Sequence, residues 1–394
     1  MSSYRSLNRF ILAKLETTSG TDASPTPGSN AVLVEAPDLS AQLQTTTTSE
    51  VTGALDKRSP IATTGSRQAN FKVYLRGSGV AGTAPRLDPL MQACGLQPQI
   101  LAADSTGTAQ AGSATTITLA AGARAVDLTG FVVEATSGAG AGSKRIISAY
   151  NTSTKAATVT PAWNASFNGV TGTAPDNTTT YVVRKGVKYF VQSAILPTVT
   201  VYSYQPRTDA ASAKLTKLVG GAGNVKLTLG SSGCSLDYQF KGSLVSESDP
   251  SVPTSPTYDS GSYFPLQSAQ IFLNNIQAQL NSFNIDLGND VQLETDPSTA
   301  YGVGNAGIVS RSIGGDLTMP KLLNSSLDII DSWQNGTEYA FSAIWGSTAG
   351  QRFACMSQHM VFNAKKDNDV QGFSYDQVSF KTNGQDTGLW LTYY

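Results

Sequence analysis

A chain of 394 residues is long enough for two or three domains, yet it holds only 27 basic and 28 acidic residues, 14% charged against about 25% in an ordinary soluble protein. Its net charge of −1 excludes a protein that holds nucleic acid through a broad basic face, because Lys and Arg neutralising phosphate supply most of that affinity. Three dispersed cysteines (Cys94, Cys234, Cys355) make no disulfide framework, and with the single His359 they could close a zinc site only by using all four residues.

The N-terminal stretch offers only Phe10-Ile-Leu-Ala before Lys14, too short for the apolar region of a signal peptide, and no apolar run approaches the ~18 residues of a membrane span. The chain therefore reads as soluble and unsecreted. Residues 49 to 66 mix charge, Gly and Pro and are long for a hairpin connection. This loop sets Val51, Leu55 and Ile61 among Glu50, Asp56, Lys57 and Arg58, and is expected to order between subunits, its apolar side chains buried and its charges paired across the contact.

In Phe71-Lys-Val-Tyr-Leu-Arg76 apolar and polar residues alternate, which predicts a half-buried strand. Gly77-Ser-Gly-Val-Ala-Gly82 follows it and fits the glycine pattern of a dinucleotide turn, but Thr83-Ala-Pro85 delays the helix, so no helix N-terminus would face a phosphate. A glycine-rich strand end is the better reading. Asp88 as cap, Pro89 and Gly95 bracket a short helix with Leu87, Leu90, Met91 and Cys94 on one face.

Residues 105 to 183 differ in texture, with four basic and three acidic residues among short strands near 115–120, 131–135, 145–150 and 156–160. Leu101 to Asp104 and Arg184 to Gly186 read as linkers, giving a core of 1–104 and 184–394 with a small inserted β domain at 105–183. Within the insert Trp163 and Tyr181 could offer a sugar-stacking patch, although core packing is the commoner fate of such aromatics. Further strands are expected at 197–205, in a hairpin of Val225, Leu227 and Leu229 with Cys234, Leu236, Tyr238 and Phe240, and at 270–288, 339–345, 352–362 and 374–381. Glu247 to Pro265 reads as a surface excursion, and Leu323, Leu327 and Ile330 place a second helix at about Lys321 to Trp333. The fold class is mainly β, an antiparallel sandwich or barrel with one or two short helices.

Catalytic candidates are thin. A Ser-His-Asp triad could use only His359, no G-x-S-x-G elbow accompanies it, and its parity with Phe353, Cys355 and Val361 predicts a partly buried strand histidine. Asp286 with Asp290, or Asp328 with Asp331, read as solvated pairs. No catalytic, cofactor or metal residue is assigned.

Four segments carry a resemblance: Asn8-Arg-Phe-Ile-Leu-Ala-Lys-Leu-Glu-Thr-Thr-Ser-Gly-Thr-Asp22, Leu75 to Pro85 running into Pro89 to Gly95, Val199-Thr-Val-Tyr-Ser-Tyr204, and Lys214 to Leu227. Together they resemble the major tail tube proteins of long-tailed, siphovirus-like bacteriophages. The resemblance implies a sandwich or barrel subunit, homohexameric rings stacked into a hollow tube, and subunit sheets joined into an inner barrel. It also implies partners: a tape-measure protein, tail terminator and baseplate or tail-tip proteins, and DNA only in transit. The place implied is the virion tail, after synthesis in the bacterial cytoplasm. A phage adhesin or decoration protein, binding a host surface through the inserted module, is the alternative.

Overall fold

A computed structural model describes every residue except Met1, Ser2, Ser6, Ser49, Thr52, Ala54, Asp56, Lys57, Arg58, Ala210, Ser232 and Phe264. The chain is mainly β, 51% strand against 4% helix, in antiparallel sheets of which the largest curls into a half-barrel. The chain opens with β1 (Phe10–Leu15), the short α1 (Pro27–Asn30), β2 (Ala31–Val32), then a long hairpin of β3 (Glu35–Thr46) and β4 (Ile61–Tyr74). In β4 the alternation expected from the sequence starts earlier than Phe71: Gly65, Arg67, Ala69, Phe71 and Val73 are buried while Ser66, Gln68, Asn70 and Lys72 are half-exposed. Residues 61 to 66, expected in a loop, are therefore strand, paired from Ile61↔Thr46 to Ser66↔Gln42. Between Thr46 and Ile61 the described residues form no strand.

α2 (Asp88–Ala93) forms where its signals place it and buries Leu90, Met91 and Ala93. Asp88 is its first residue rather than its cap: no side chain caps this end, and the carboxylate instead accepts from Tyr189 Oη (2.8 Å) and Gln92 Nε2 (2.7 Å). Burial raises the Asp88 carboxyl above its ordinary range. Gly95 sits at φ +80° just past the helix, a conformation only glycine adopts without strain. β5 (Leu96–Leu101) then leads into the insert.

The insert holds β6 (Ser105–Thr108), β7 (Ala111–Gly112), β8 (Thr116–Thr118), β9 (Val132–Ser137), β10 (Lys144–Tyr150), β11 (Ala156–Thr160), β12 (Ser166–Phe167), β13 (Val170–Thr171) and β14 (Thr180–Val183). Seven of these form one sheet in the order β6-β14-β9-β10-β11-β8-β7. Because β6 and β7 are successive pieces of one extended segment, the two ends of this sheet meet. Ala109 donates to Thr179 O on one side and Gln110 to Thr118 O on the other, which closes the sheet into a small barrel. Leu119, Phe131, Val133, Ile147, Trp163 and Tyr181 fill its own core, so Trp163 and Tyr181 are packing residues.

The linker reading needs correcting. Leu101 ends β5 and packs in the insert's core, and Gly186 begins the next core strand. Insert and core also share a third buried cluster, with Val132 and Ile146 against Ile344, Ala354, Met356, Trp390 and Tyr394. Lys188 stands at this seam: its ammonium donates to Thr129 O (2.8 Å), lies 3.7 Å from Asp127 and stacks over Phe131 and Phe190. Burial pulls its pKa down to about 8. A lysine whose folded pKa lies below its unfolded one disfavours folding most at pH below 8, and that penalty fades as pH rises toward 10.5. Lys188→Met is therefore expected to raise the urea midpoint at pH 7 more than at pH 10, and equal shifts at both would refute the burial argument.

After the insert come β15 (Gly186–Val191), β16 (Val199–Pro206) and the hairpin of β17 (Ala213–Gly230) with β18 (Gly233–Leu244). β19 (Gln270–Leu273), β20 (Ile276–Gln277), β21 (Ser282–Asp286), β22 (Asn289–Thr295), β23 (Val303–Arg311) and β24 (Gly314–Pro320) follow. The single strand expected at 270–288 is thus three, broken where β19 turns back on β20 at Asn274 (φ +52°) and again between Gln277 and Ser282. α3 (Ile329–Gln334), β25 (Glu338–Trp345), β26 (Phe353–Val370), β27 (Phe373–Thr382) and β28 (Trp390–Tyr393) complete the chain. α3 is shorter than its expected span from Lys321. Asp328 caps it by accepting from Asp331 N, and Leu323 (76%) and Ile330 (56%) are exposed while Leu327 is buried, so the three apolar residues read as one face do not share it. None of the described helices is long and apolar enough to cross a membrane.

Candidate assembly surface

One face of the curled sheet is the core: Phe71, Val73, Val225, Leu227, Leu236, Tyr238, Phe240, Phe283, Ile285, Leu317, Val378 and Phe380 are buried together. Parity then sends their neighbours to the opposite face. There the registers align side chains in rows across strands. Glu35, Lys72, Asp237, Lys226 and Asp286 stand directly opposite one another on β3, β4, β18, β17 and β21, alternating in sign. A second row, Asp38, Asn70, Gln239 and Asn224, is mostly amide, and a third runs Tyr74, Ser235, Thr228, Asn284, Asp316 and Ser379. Opposite charges across strands contribute roughly 0.2 to 1 kcal/mol each, so these rows do more for the surface field than for stability. Basic charge is not in excess.

The hairpin of β22 and β23 crosses part of this face. Val291 and Ala306 pack on Ala222, Lys241 Nζ donates to Val291 O (3.0 Å), and Ser243 Oγ to Gly304 O (2.7 Å). Between hairpin and sheet lies a polar cavity of about 200 Å³ lined by Gln68, Asn70, Asn224, Gln239, Lys241 and Asn289.

Within the large sheet the run β3-β4-β18-β17-β21-β24-β27-β26 ends in two strands without a partner on their outer side among the described residues, while β2, β5 and β20 are shorter strands that also pair on one side only. β3 pairs only with β4, and the distal half of β26, from Asn363 to Val370, pairs only with β27. β3 is twelve residues long and carries charge only at Glu35 and Asp38; Ser40 to Thr46 hold neither charge nor proline. Such an edge is a template for strand addition. The outer half of its hairpin projects as an arm, with Leu43 54% and Ile61 61% exposed. Glu50 is exposed too, and Val51 and Leu55 are fully so; Asp56, Lys57 and Arg58 lie outside the described residues. The arm is what sequence reasoning saw only in part, since its loop was legible and its two exposed strands were not.

The remaining candidates resolve into structure. Gly77 and Gly79 are held where a Cβ would strike the backbone carbonyl of Gly350 and the side chain of Ser260, so the glycine motif is a close crossing of three chain segments. Gly77→Ala is expected to destabilise the fold by about 2 kcal/mol or more, since backbone must move to admit the methyl; an unchanged melting temperature would refute this. His359 is not a regular strand residue. It occupies a bulge at φ +56°, half-exposed, and Nδ1 meets Glu338 Oε2 at 2.7 Å, which helps hold that carboxyl below its usual range. Asp286 accepts from Asn224 and Gly288, whereas Asp290 accepts from Gln292. Burial pushes the Cys234 thiol up to about 11 and those of Cys94 and Cys355 upward as well. Among the described residues no group of three His, Cys, Asp or Glu could hold a metal ion.

The motifs behind the resemblance also have places. Glu16 is buried and accepts from Gly20 N, Thr198 Oγ1, Thr200 Oγ1 and Gly220 N at 2.7 to 2.8 Å. Asp22 accepts from Tyr202 Oη (2.6 Å) and Lys217 Nζ (2.9 Å). Three of the quoted segments thus meet around β1, β16 and the bulge of β17, and α2 of the remaining one packs against the same strands. No protein-family model matches the chain, and no curated protein matches its sequence.

Proposed function

We propose that the chain is the subunit of a phage tail tube: a structural protein whose copies join through sheet edges into sixfold rings that stack around a channel for DNA. The observation that carries this reading is the wide, curled sheet, with a polar face that the β22–β23 hairpin covers only in part, a row of alternating charge across it, and unpaired long strands at both ends. A channel wall must pass DNA without holding it, and a face with no excess of basic charge offers phosphate no continuous binding track. The unpaired ends would be a liability in a monomer and are useful in a ring. The closed barrel of the insert lacks such edges and suits a place outside the joined sheets, on the tube's outer wall. Tape-measure, terminator and baseplate proteins are the partners this reading carries with it.

Electron microscopy of the purified chain tests it. Rings or tubes are expected at high concentration, and a chain that sediments as a monomer under every salt condition would refute the proposal. The arm gives a sharper form of the test. Leu43→Ser with Ile61→Ser changes only exposed side chains, so the far-ultraviolet spectrum and melting temperature should hold while tube formation falls at least tenfold. Unchanged assembly would remove the arm from the contact.

A further inference from the structure

The core is built twice. β1, β2, β3, β4, α2, β16, β17 and β18 recur in the same order as β19, β20, β21, β24, α3, β25, β26 and β27. Every pairing of the first set has an antiparallel counterpart in the second: β1 with β2 and β19 with β20, β1 with β16 and β19 with β25, β16 with β17 and β25 with β26. The same holds for β17 with β18 and β26 with β27, β18 with β4 and β27 with β24, and β4 with β3 and β24 with β21.

The correspondence extends to single residues. Gly230↔Gly233 and Val370↔Phe373 close the two long hairpins, and the chain of partners Lys241, Gln68, Ser40 in the first copy is Lys381, Gly314, Asp286 in the second. Each helix is followed by a glycine at positive φ, Gly95 and Gly336, and each 18-residue strand carries a bulge with one positive-φ residue, Gly220 in β17 and His359 in β26. His359 thus stands where the other copy has glycine.

Among these strands the two copies share one pairing, in which the distal end of β17 pairs with β21 from Lys226↔Asp286 to Gly230↔Ser282. The matching elements are β26 and β3, and these are the strands with a free outer side at the two ends of the run from β3 through β4, β18, β17, β21, β24 and β27 to β26. We infer that the free edge of β26 pairs with β3 of a second copy of this chain in the register of the internal joint, so that three chains close a ring of six sheet units. The inference rests on the ring reading above and replaces six chains by three. Transferring the register sets Lys366, the counterpart of Lys226, opposite Ser40 of the next copy, with Asn368 opposite Asp38. Lys366 is then diagonal to Asp38, which retains a Lys and Asp contact like that of Lys226 with Asp286. Beyond Asp38 the bulge at Ala36 (φ +48°) and Pro37, which has no N–H, ends the pairing. The contact is heterologous and closes by rotation.

The test is a chain carrying Ser40→Cys with Lys366→Cys, oxidised mildly. Directly opposed strand residues come within disulfide reach, and the three native cysteines are buried. Covalent species are expected to end at a closed band of three 41.2 kDa chains, while either substitution alone gives none and a mixture of the two single variants gives dimers. Moving the first cysteine to Gln44 should lower the yield at least tenfold. No cross-link, a cross-link within one chain, or a closed band of six chains would each overturn the inference. Tubes that form without this cross-link refute the joint and leave the tube reading standing; closed three-chain rings that never stack support the joint and refute the tube.

Discussion

Glu16→Ala is expected to destabilise the chain by about 3 to 5 kcal/mol, the largest effect of any single substitution considered, and to leave much of it unfolded at 37 °C. The carboxylate is 8% exposed and sits at the end of β1, where it accepts four hydrogen bonds of 2.7 to 2.8 Å from Gly20 N, Thr198 Oγ1, Thr200 Oγ1 and Gly220 N. Alanine would strand all four donors in a space too tight to hydrate well, and each buried unsatisfied group costs roughly 1 to 3 kcal/mol. Two of the donors are backbone amides of glycines at positive φ, Gly20 (+78°) and Gly220 (+63°), so the loop after β1 and the bulge of β17 lose their common anchor. Glu16→Gln keeps one acceptor and should cost about half as much. Urea unfolding checks both: the midpoint should fall with the slope unchanged, and a loss under 1 kcal/mol for the alanine variant would refute the account.

That carboxylate also shows how much of this protein can be read from sequence. The strands of the hairpin at 225 to 240 were legible because Leu227, Leu229, Leu236, Tyr238 and Phe240 alternate with polar residues, and a sheet buried on one face enforces that period. α2 was legible from Pro89 and Gly95, where backbone chemistry restricts the choice of residue. The arm was not: in β3 and the first residues of β4 both faces meet solvent, so nothing imposes alternation, and residues 61 to 66 read as loop. α3 was overextended because spacing alone cannot tell a helix face from a turn, and Leu323 turned out to be exposed. The duplication was hidden because its two copies agree in register far more than in residue type. Phe240-Lys241 and Phe380-Lys381 match, whereas Ser40 stands for Asp286. The row of alternating charge was invisible for a different reason, since its members lie on five strands whose registers only the folded sheet defines.

Excising residues 105 to 183 is the second change with a large expected effect, and it runs against the independence that the insert's own core suggests. The cut itself is geometrically mild. Ser105 and Val183 are direct partners at the root of the barrel, and Arg184 already pairs with Asp104 at 3.4 Å, so joining Asp104 to Arg184 needs little rearrangement. What the cut exposes is the shared seam. Trp390, Met356, Ile344 and Tyr394 are all at most 6% exposed, and Val132 and Ile146 are among the side chains that cover them. At roughly 1.5 to 3 kcal/mol for full burial of a large side chain, partial loss of cover over four of them amounts to a destabilisation on the order of 5 kcal/mol. Lys188 offsets a little of this, because its ammonium returns to water once Thr129 and Phe131 are gone. The excised core is therefore expected to aggregate or melt well below the full chain, whereas the isolated barrel should fold by itself around Trp163 and Phe131. Polar replacements at Ile344 and Met356 should restore solubility to the excised core. Only that repaired chain can then report whether tube assembly needs the insert. An excised core that melts at the same temperature as the full chain without such repair would show that the seam contributes nothing.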